Sequence, residues 1–204
     1  MPLPSKQEVA NGLMGALMLA KFDRGGANWF DDTVDGFWKS FFAAVLLAPF
    51  SALLLWIVHY AHLPPGVDLG PVLAIEFVGY VGAWLVWPVA AWEITGWAGA
   101  QARCRKYIIA CNWSEVWLMV LQLPVAVIVA SGVAGEGLMG LIYMVMLMMI
   151  IGYRFIIARD VLEVPGSVAA GIAFADMMVV IAWQWLVDGR IMPYLDAAGA
   201  AQGA

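Results

Sequence analysis

Apolar residues along this chain come in long runs, broken by short polar segments. Five runs dominate: about Val34 to Tyr60, about Leu69 to Trp97, about Trp113 to Val133, about Gly137 to Ala158 and about Val164 to Val187. A helix needs about 20 residues to cross the hydrocarbon core of a bilayer, so each run predicts a transmembrane helix. The connecting segments HLPPGVDLG, GAQARCRKYIIACN, SGVAGEG and RDVLEVPG carry turn residues. Upstream, Pro4 to Asp23 behaves differently. Ser5 and Glu8 form an S-x-x-E capping box, and Val9, Leu13, Ala16, Leu17 and Ala20 share one helical face. Gly25 and Gly26 end that helix. An interfacial amphipathic helix is favoured here over a secretory signal peptide, because Glu8 offsets Lys6 and no clear cleavage pattern follows Ala20.

Charge gives the helices a direction. Lys6, Lys21, Arg24 and Lys39 lie before or at the start of the first span, Arg103, Arg105 and Lys106 between the second and third, and Arg154 and Arg159 toward the junction of the fourth and fifth. Only Arg190 falls on the other side. The positive-inside rule therefore places the N-terminus in the cytoplasm and the C-terminus opposite, in a cell membrane (the inner membrane if the cell is bacterial). Four or six spans would spoil this partition. Trp29, Trp38, Trp92, Trp97, Trp113 and Trp117 fall near the inner interface, and Trp56, Trp183 and Trp185 near the outer one, where indole rings are favoured. Trp84 and Trp87 are deeper and are expected to pack between helices.

Composition agrees. Of 204 residues, 64% are hydrophobic and 12% charged, against about 45–50% and about 25% in a soluble domain. The expected architecture is an all-α, five-helix membrane bundle with lipid as its main partner. Residues 1–33 form an N-terminal segment, 34–189 the bundle and 190–204 a flexible tail, mostly Ala and Gly from Asp196 onward. A net charge of -5 argues against a nucleic-acid partner, which needs a basic stripe. Cys104 and Cys111 have neither redox-motif nor zinc spacing, and act as small apolar residues.

Polar groups inside a bilayer are costly, so each marks a candidate site. Asp176 is expected near the midplane, with Gln122 at a similar depth on the third span. No basic residue is placed to neutralise Asp176 in this reading, since Arg154 and Arg159 start near the cytoplasmic end. Two readings stay open: a protonatable carboxyl on a proton or solute path, and a neutral acid, hydrogen-bonded to a neighbour, that glues helices together. Glu76 and Gln184 are expected at similar heights near the outer end and would share a vestibule. Glu93 and Glu115 are read as interfacial ion-pair partners, with Asn112 as the N-terminal cap of the third helix. Pro49, Pro88 and Pro124 are candidate helix breaks. The fourth span is rich in methionine, with Met144 and Met148 on one face and His59 and His62 as remote secondary ligands. Adaptable packing accounts for these thioethers better than a copper site, so neither metal nor cofactor is expected. No phosphate loop, nucleophile elbow or HExxH motif occurs, and Ser114 and His59 fall on opposite sides of the membrane.

Two stretches, DGFWKSFFAAVLLAP and KYIIACNWSEVWLMVLQLP, resemble the first and third helices of the Yip family of Rab-interacting membrane proteins and its bacterial relatives. The layout of helices is similar from Val34 to Val187. The resemblance implies a helical bundle with an organising or partner-binding role and carries over no catalytic residue. This chain lacks the long acidic cytoplasmic region of the eukaryotic members. The expected function is thus non-enzymatic: scaffolding, assembly or service as accessory partner of a membrane complex, with a membrane-protein partner or a second copy of the chain. The alternative is a small transporter or channel subunit using Asp176, Gln122 and Glu76. The orientation is directly testable. Cysteines introduced between Ala61 and Asp68 should react with an impermeant thiol reagent from outside the cell, and native Cys104 should not.

Overall fold

The structure, a computed structural model, describes residues 3–58, 63, 67–133 and 135–202. His59 and His62 lie outside the described residues. Seven α-helices are formed: α1 (Lys6–Ala20), α2 (Val34–Ser40), α3 (Phe42–Val58), α4 (Leu69–Trp97), α5 (Cys104–Ser131), α6 (Glu136–Leu162) and α7 (Gly166–Gln202), with no strand among the described residues. Short 3-10 turns precede α2 (Arg24–Trp29) and α5 (Gln101–Arg103). Five stretches are long and apolar enough to cross a membrane: Val34–Ile57, Leu69–Trp97, Gln101–Ser131, Gly137–Leu162 and Gly166–Asp196.

Local chemistry explains most of the helix starts. The capping box at α1 is formed in both directions: Ser5 N–H donates to Glu8 Oε2 at 2.7 Å, and Glu8 N–H to Ser5 Oγ at 3.3 Å. Thr33 caps α2 through Gly36 N–H at 3.0 Å, and Asp68 caps α4 through Gly70 N–H at 3.0 Å. Gly132, at φ 63°, gives α5 its left-handed C-cap. Pro49, Pro88 and Pro124 all lie inside helices, in α3, α4 and α5 respectively.

Several boundaries differ from the sequence reading. α1 stops at Ala20, with Phe22 at φ 64°, and Gly25 and Gly26 lie in the 3-10 turn that follows instead of ending the helix. α6 runs to Leu162 instead of Ala158. The first span is split at Phe41 into α2 and α3. The third span begins at Cys104, not Trp113, so Asn112 is no N-terminal cap and sits inside the helix. Cys104, Tyr107, Ile108 and Cys111 form a buried stripe at helical spacing, while Arg105 points outward. Those neighbouring charges disguised the stripe as a loop. Finally, the segment expected to be a flexible tail is helical as far as Gln202, with Pro193 inside it. Alanine has the highest helix propensity, and extending an existing helix avoids the cost of nucleation.

The five long helices close into a ring. α5 packs on α3 and α6, α7 packs on α6 and α4, and Tyr80 O–H of α4 donates to Ala44 C=O of α3 at 2.6 Å. α1 is the unexpected element. Its predicted face was anticipated to rest on the membrane surface, but Ala16 is buried and Val9, Leu13 and Ala20 pack against the core of the same chain. Trp117 Nε1–H of α5 donates to Leu13 C=O at 2.9 Å, and Tyr153 O–H of α6 donates to Ala16 C=O at 2.7 Å. Trp113 and Trp117 therefore hold α1, where headgroup anchoring had been expected. Glycine makes the approach close enough: a Cβ at Gly12 would fall 2.6 Å from the Trp113 ring, and one at Gly26 2.5 Å from Gly15 C=O. Lys39 Nζ lies 2.7 Å from Glu8 Oε1 and 2.6 Å from Asp35 Oδ2, fastening α1 to α2.

Gly12→Leu should loosen α1 by about 1–3 kcal/mol through overpacking. Amide hydrogen exchange in residues 6–20 should accelerate about tenfold or more, while exchange in α6 and α7 stays unchanged. The Glu8 carboxyl is held down to about 2, first by the hydrogen bond from Lys39, then by those from Ser5. A depressed carboxylate stabilises the fold fully above its unfolded value of about 4.3 and loses that contribution as pH falls through its folded value. Carboxyl carbon NMR should therefore give Glu8 a midpoint near 2, returning toward about 4.3 in Lys39→Met.

Candidate functional site

Three helices deliver charged side chains to one place inside the bundle. Glu115 lies about 16 Å along α5 from Cys104, Arg154 about 12 Å along α6 from Leu162, and Asp176 about 15 Å along α7 from Gly166. Because α6 runs against α5 and α7, these three positions share a depth. Arg154 Nε lies 3.2 Å from Asp176 Oδ2, and Arg154 Nη2 pairs with Glu115 Oε1. Arg154 is 8% exposed and Asp176 2%. The expectation that no basic residue reaches Asp176 is therefore corrected. α6 continues to Leu162, which draws Arg154 inside the bundle, and its long side chain spans the remaining gap. The ion pair expected for Glu115 is present, but deep in the bundle and shared with Asp176.

The triad opens on a cavity of about 240 Å³ to which each of the five long helices contributes. Ser51 comes from α3, Tyr80, Trp84 and Trp87 from α4, and Asn112, Glu115 and Gln122 from α5. Arg154 comes from α6 and Asp176 from α7. The guanidinium lies 5.9 Å from the Trp87 ring centroid, within cation–π range. Asn112 Nδ2–H donates to Ser40 Oγ at 2.8 Å, and Ser40 O–H donates to Phe37 C=O at 2.7 Å, so that polar pair is internally satisfied. Three other buried polar atoms of the lining make no hydrogen bond to protein groups: Arg154 Nη1, Asp176 Oδ1 and Trp87 Nε1. Leaving such groups without partners is costly, and a cavity is where a solute would supply them.

The sequence candidates divide accordingly. Asp176 and Gln122 line the same cavity, but Gln122 lies about 10 Å farther along α5 than Glu115, and the start of α5 at Cys104 sets Glu115 level with Asp176. Glu76 and Gln184 are outside this lining: Glu76 is half-buried on α4, and Gln184 is exposed and donates to Asp188 Oδ1 at 2.9 Å within α7. Pro49 lies just past Ala44, whose carbonyl accepts the Tyr80 bond. Pro88 borders an apolar groove with Trp38 and Trp92, and Pro124 follows Gln122 in α5. Arg154 and Glu115 were the residues that sequence reasoning missed as part of this site. The available signal was electrostatic, since a carboxyl in mid-membrane needs a partner and Arg154 was the arginine nearest in depth.

Other charged groups remain at the end of the bundle that carries α1. Asp160, whose side chain is almost fully covered, pairs with Arg159 at 2.7 Å and Arg24 at 3.4 Å; Arg105 pairs with Asp32 at 2.8 Å; Arg103 pairs with Glu163. No group of His, Cys, Asp and Glu able to hold a metal ion occurs among the described residues. Ser114 O–H is engaged by Cys111 C=O at 2.7 Å. The triad, with Arg154 and Asp176 buried and Glu115 partly exposed, and its cavity are thus the arrangement with the clearest chemical capacity: to hold a small polar or charged solute against an ion pair in an apolar surround. Comparisons with protein-family models, with curated proteins and with solved structures return no match to this chain.

Proposed function

We propose that this chain is a non-enzymatic multi-pass membrane protein that binds a small polar solute inside the bilayer, as a small transporter or channel subunit. One observation carries this reading: Arg154, Glu115 and Asp176 meet at one depth beside a cavity lined by all five long helices. A simple helix glue would satisfy its own hydrogen bonds, whereas Asp176 Oδ1 and Arg154 Nη1 make none to protein groups. The distribution of basic residues supports a cytoplasmic N-terminus and a C-terminus on the opposite side of a cell membrane.

The scaffold or accessory reading draws on a different observation. Leu3, Met14 and Phe22 are exposed apolar residues outside the five spans, at 78%, 45% and 73%. They suit a membrane-protein partner, a second copy of the chain, or contact of the α1 region with the membrane interface. This second reading is also where a Yip-like organising role would lie.

The two readings part at the triad. Asp176→Asn keeps the side-chain shape, so the variant should fold with a melting temperature near that of the native protein and reproduce the cellular phenotype of a deletion. A folded, fully functional Asp176→Asn would favour the scaffold reading. Arg154→Ala would strand both carboxylates and should cost about 3–5 kcal/mol in stability, measured by unfolding in detergent. For orientation, a cysteine at exposed Lys21 is a better inner-side control than Cys104, which is fully buried.

A further inference from the structure

We infer that the cavity beside the triad is a site for a small organic cation, an ammonium carrying at least one N–H. The inference rests on the solute-binding reading above and adds the class of the solute.

The first argument is charge. The guanidinium of Arg154 carries one positive charge against the two carboxylates of Glu115 and Asp176. The lining residues from α3 and α4 bring no charged group. With both carboxylates ionised, one negative charge is left over in a surround where an unneutralised ion is expensive, and a bound cation or a proton would balance it. An anion would double that charge, and a neutral solute would leave it.

The second argument is the wall. A proton needs no room, yet the cavity has about 240 Å³. A hard metal ion wants a shell of six or more oxygen ligands, and much of this wall is aromatic or aliphatic instead. Tyr80, Trp84 and Trp87 of α4 all face the cavity, with the Tyr80 and Trp84 rings edge to face at 6.4 Å between centroids. Ring faces attract weakly hydrated organic cations, and Arg154 already lies over Trp87 in this way. Met119 and Val180 supply room for alkyl substituents.

The third argument fixes the headgroup. Asp176 is 2% exposed, and its Oδ1 accepts no hydrogen bond from the protein. A buried carboxylate oxygen needs a donor. An N–H of a primary ammonium supplies one together with the missing positive charge, whereas a quaternary ammonium supplies the charge alone.

Propylammonium chloride is the probe for full-length protein in detergent micelles, read by melting temperature and by tryptophan fluorescence. Sodium chloride at equal ionic strength is the reference. Propylammonium should give a saturable rise of about 5 °C at roughly one hundred times its Kd, and tetramethylammonium a clearly smaller one. Asp176→Asn and Glu115→Gln should each weaken propylammonium binding at least tenfold. Propionamide and zwitterionic glycine should leave the melting temperature where sodium chloride leaves it. Should propionamide or glycine match the rise given by propylammonium, the cation inference falls while a solute site stands; a propylammonium curve no higher than that of sodium chloride overturns the cation inference too. If no probe binds the native protein and Asp176→Asn matches it in the cell, the solute-binding reading falls as well. The panel on native protein decides the class of solute even where a variant fails to fold.

Discussion

Two carboxylates share one guanidinium in the apolar interior of this bundle, and the arrangement of the surrounding helices has to accommodate that fact. An isolated carboxylate at this depth would cost several kcal/mol. Arg154 reduces the cost by reaching Asp176 on α7 and Glu115 on α5 at once. The contact fixes the relative register of α5, α6 and α7, because sliding any one of them by a turn would separate the charges by about 5 Å. Such a triad restricts how the helices can pack more sharply than interchangeable apolar contacts do.

The rest of the bundle is consistent with that constraint. α4 closes the ring through Tyr80 on α3 and through Trp183 Nε1–H of α7, which donates to Gly79 C=O at 2.9 Å. Tyr80, Trp84 and Trp87 of this helix then line the cavity beside the triad. On the side that carries the N-terminus, α1 packs over α5 and α6, and Tyr153, next to Arg154 in the chain, donates to the α1 backbone. The residue that anchors α1 and the residue that holds the charges are thus neighbours on α6.

Small residues make the α1 contact work. Gly12, Gly15 and Ala16 let the helix come within van der Waals distance of Trp113 and of the 3-10 turn at Gly26. Helix association in membranes depends on such close approach, because lipid tails are as apolar as the side chains they would replace. The ion pairs Glu8–Lys39 and Arg24–Asp160 then tie the N-terminal segment to α2 and α6.

The sequence by itself determined the number of helices long and apolar enough to cross a membrane, the bounds of α4, the α1 capping box and the clustering of basic residues toward one end. Each of these is local: a run length, a cap spacing or a charge count is readable without knowing what lies across the bundle. It also singled out Asp176, since a carboxyl amid apolar residues stands out in one dimension. Only the tertiary structure decided what Asp176 meets. The start of α5 at Cys104 shifted Gln122 away from that level and brought Glu115 to it, and a buried stripe flanked by Arg105 and Lys106 looked like a loop until α1, α3 and α6 were seen to cover it. Arg154 looked like an interfacial charge because the fourth span was ended at Ala158, four residues short of the end of α6 at Leu162. A pairing between helices depends on their relative register and rotation, and no single helix carries that information in its own periodicity.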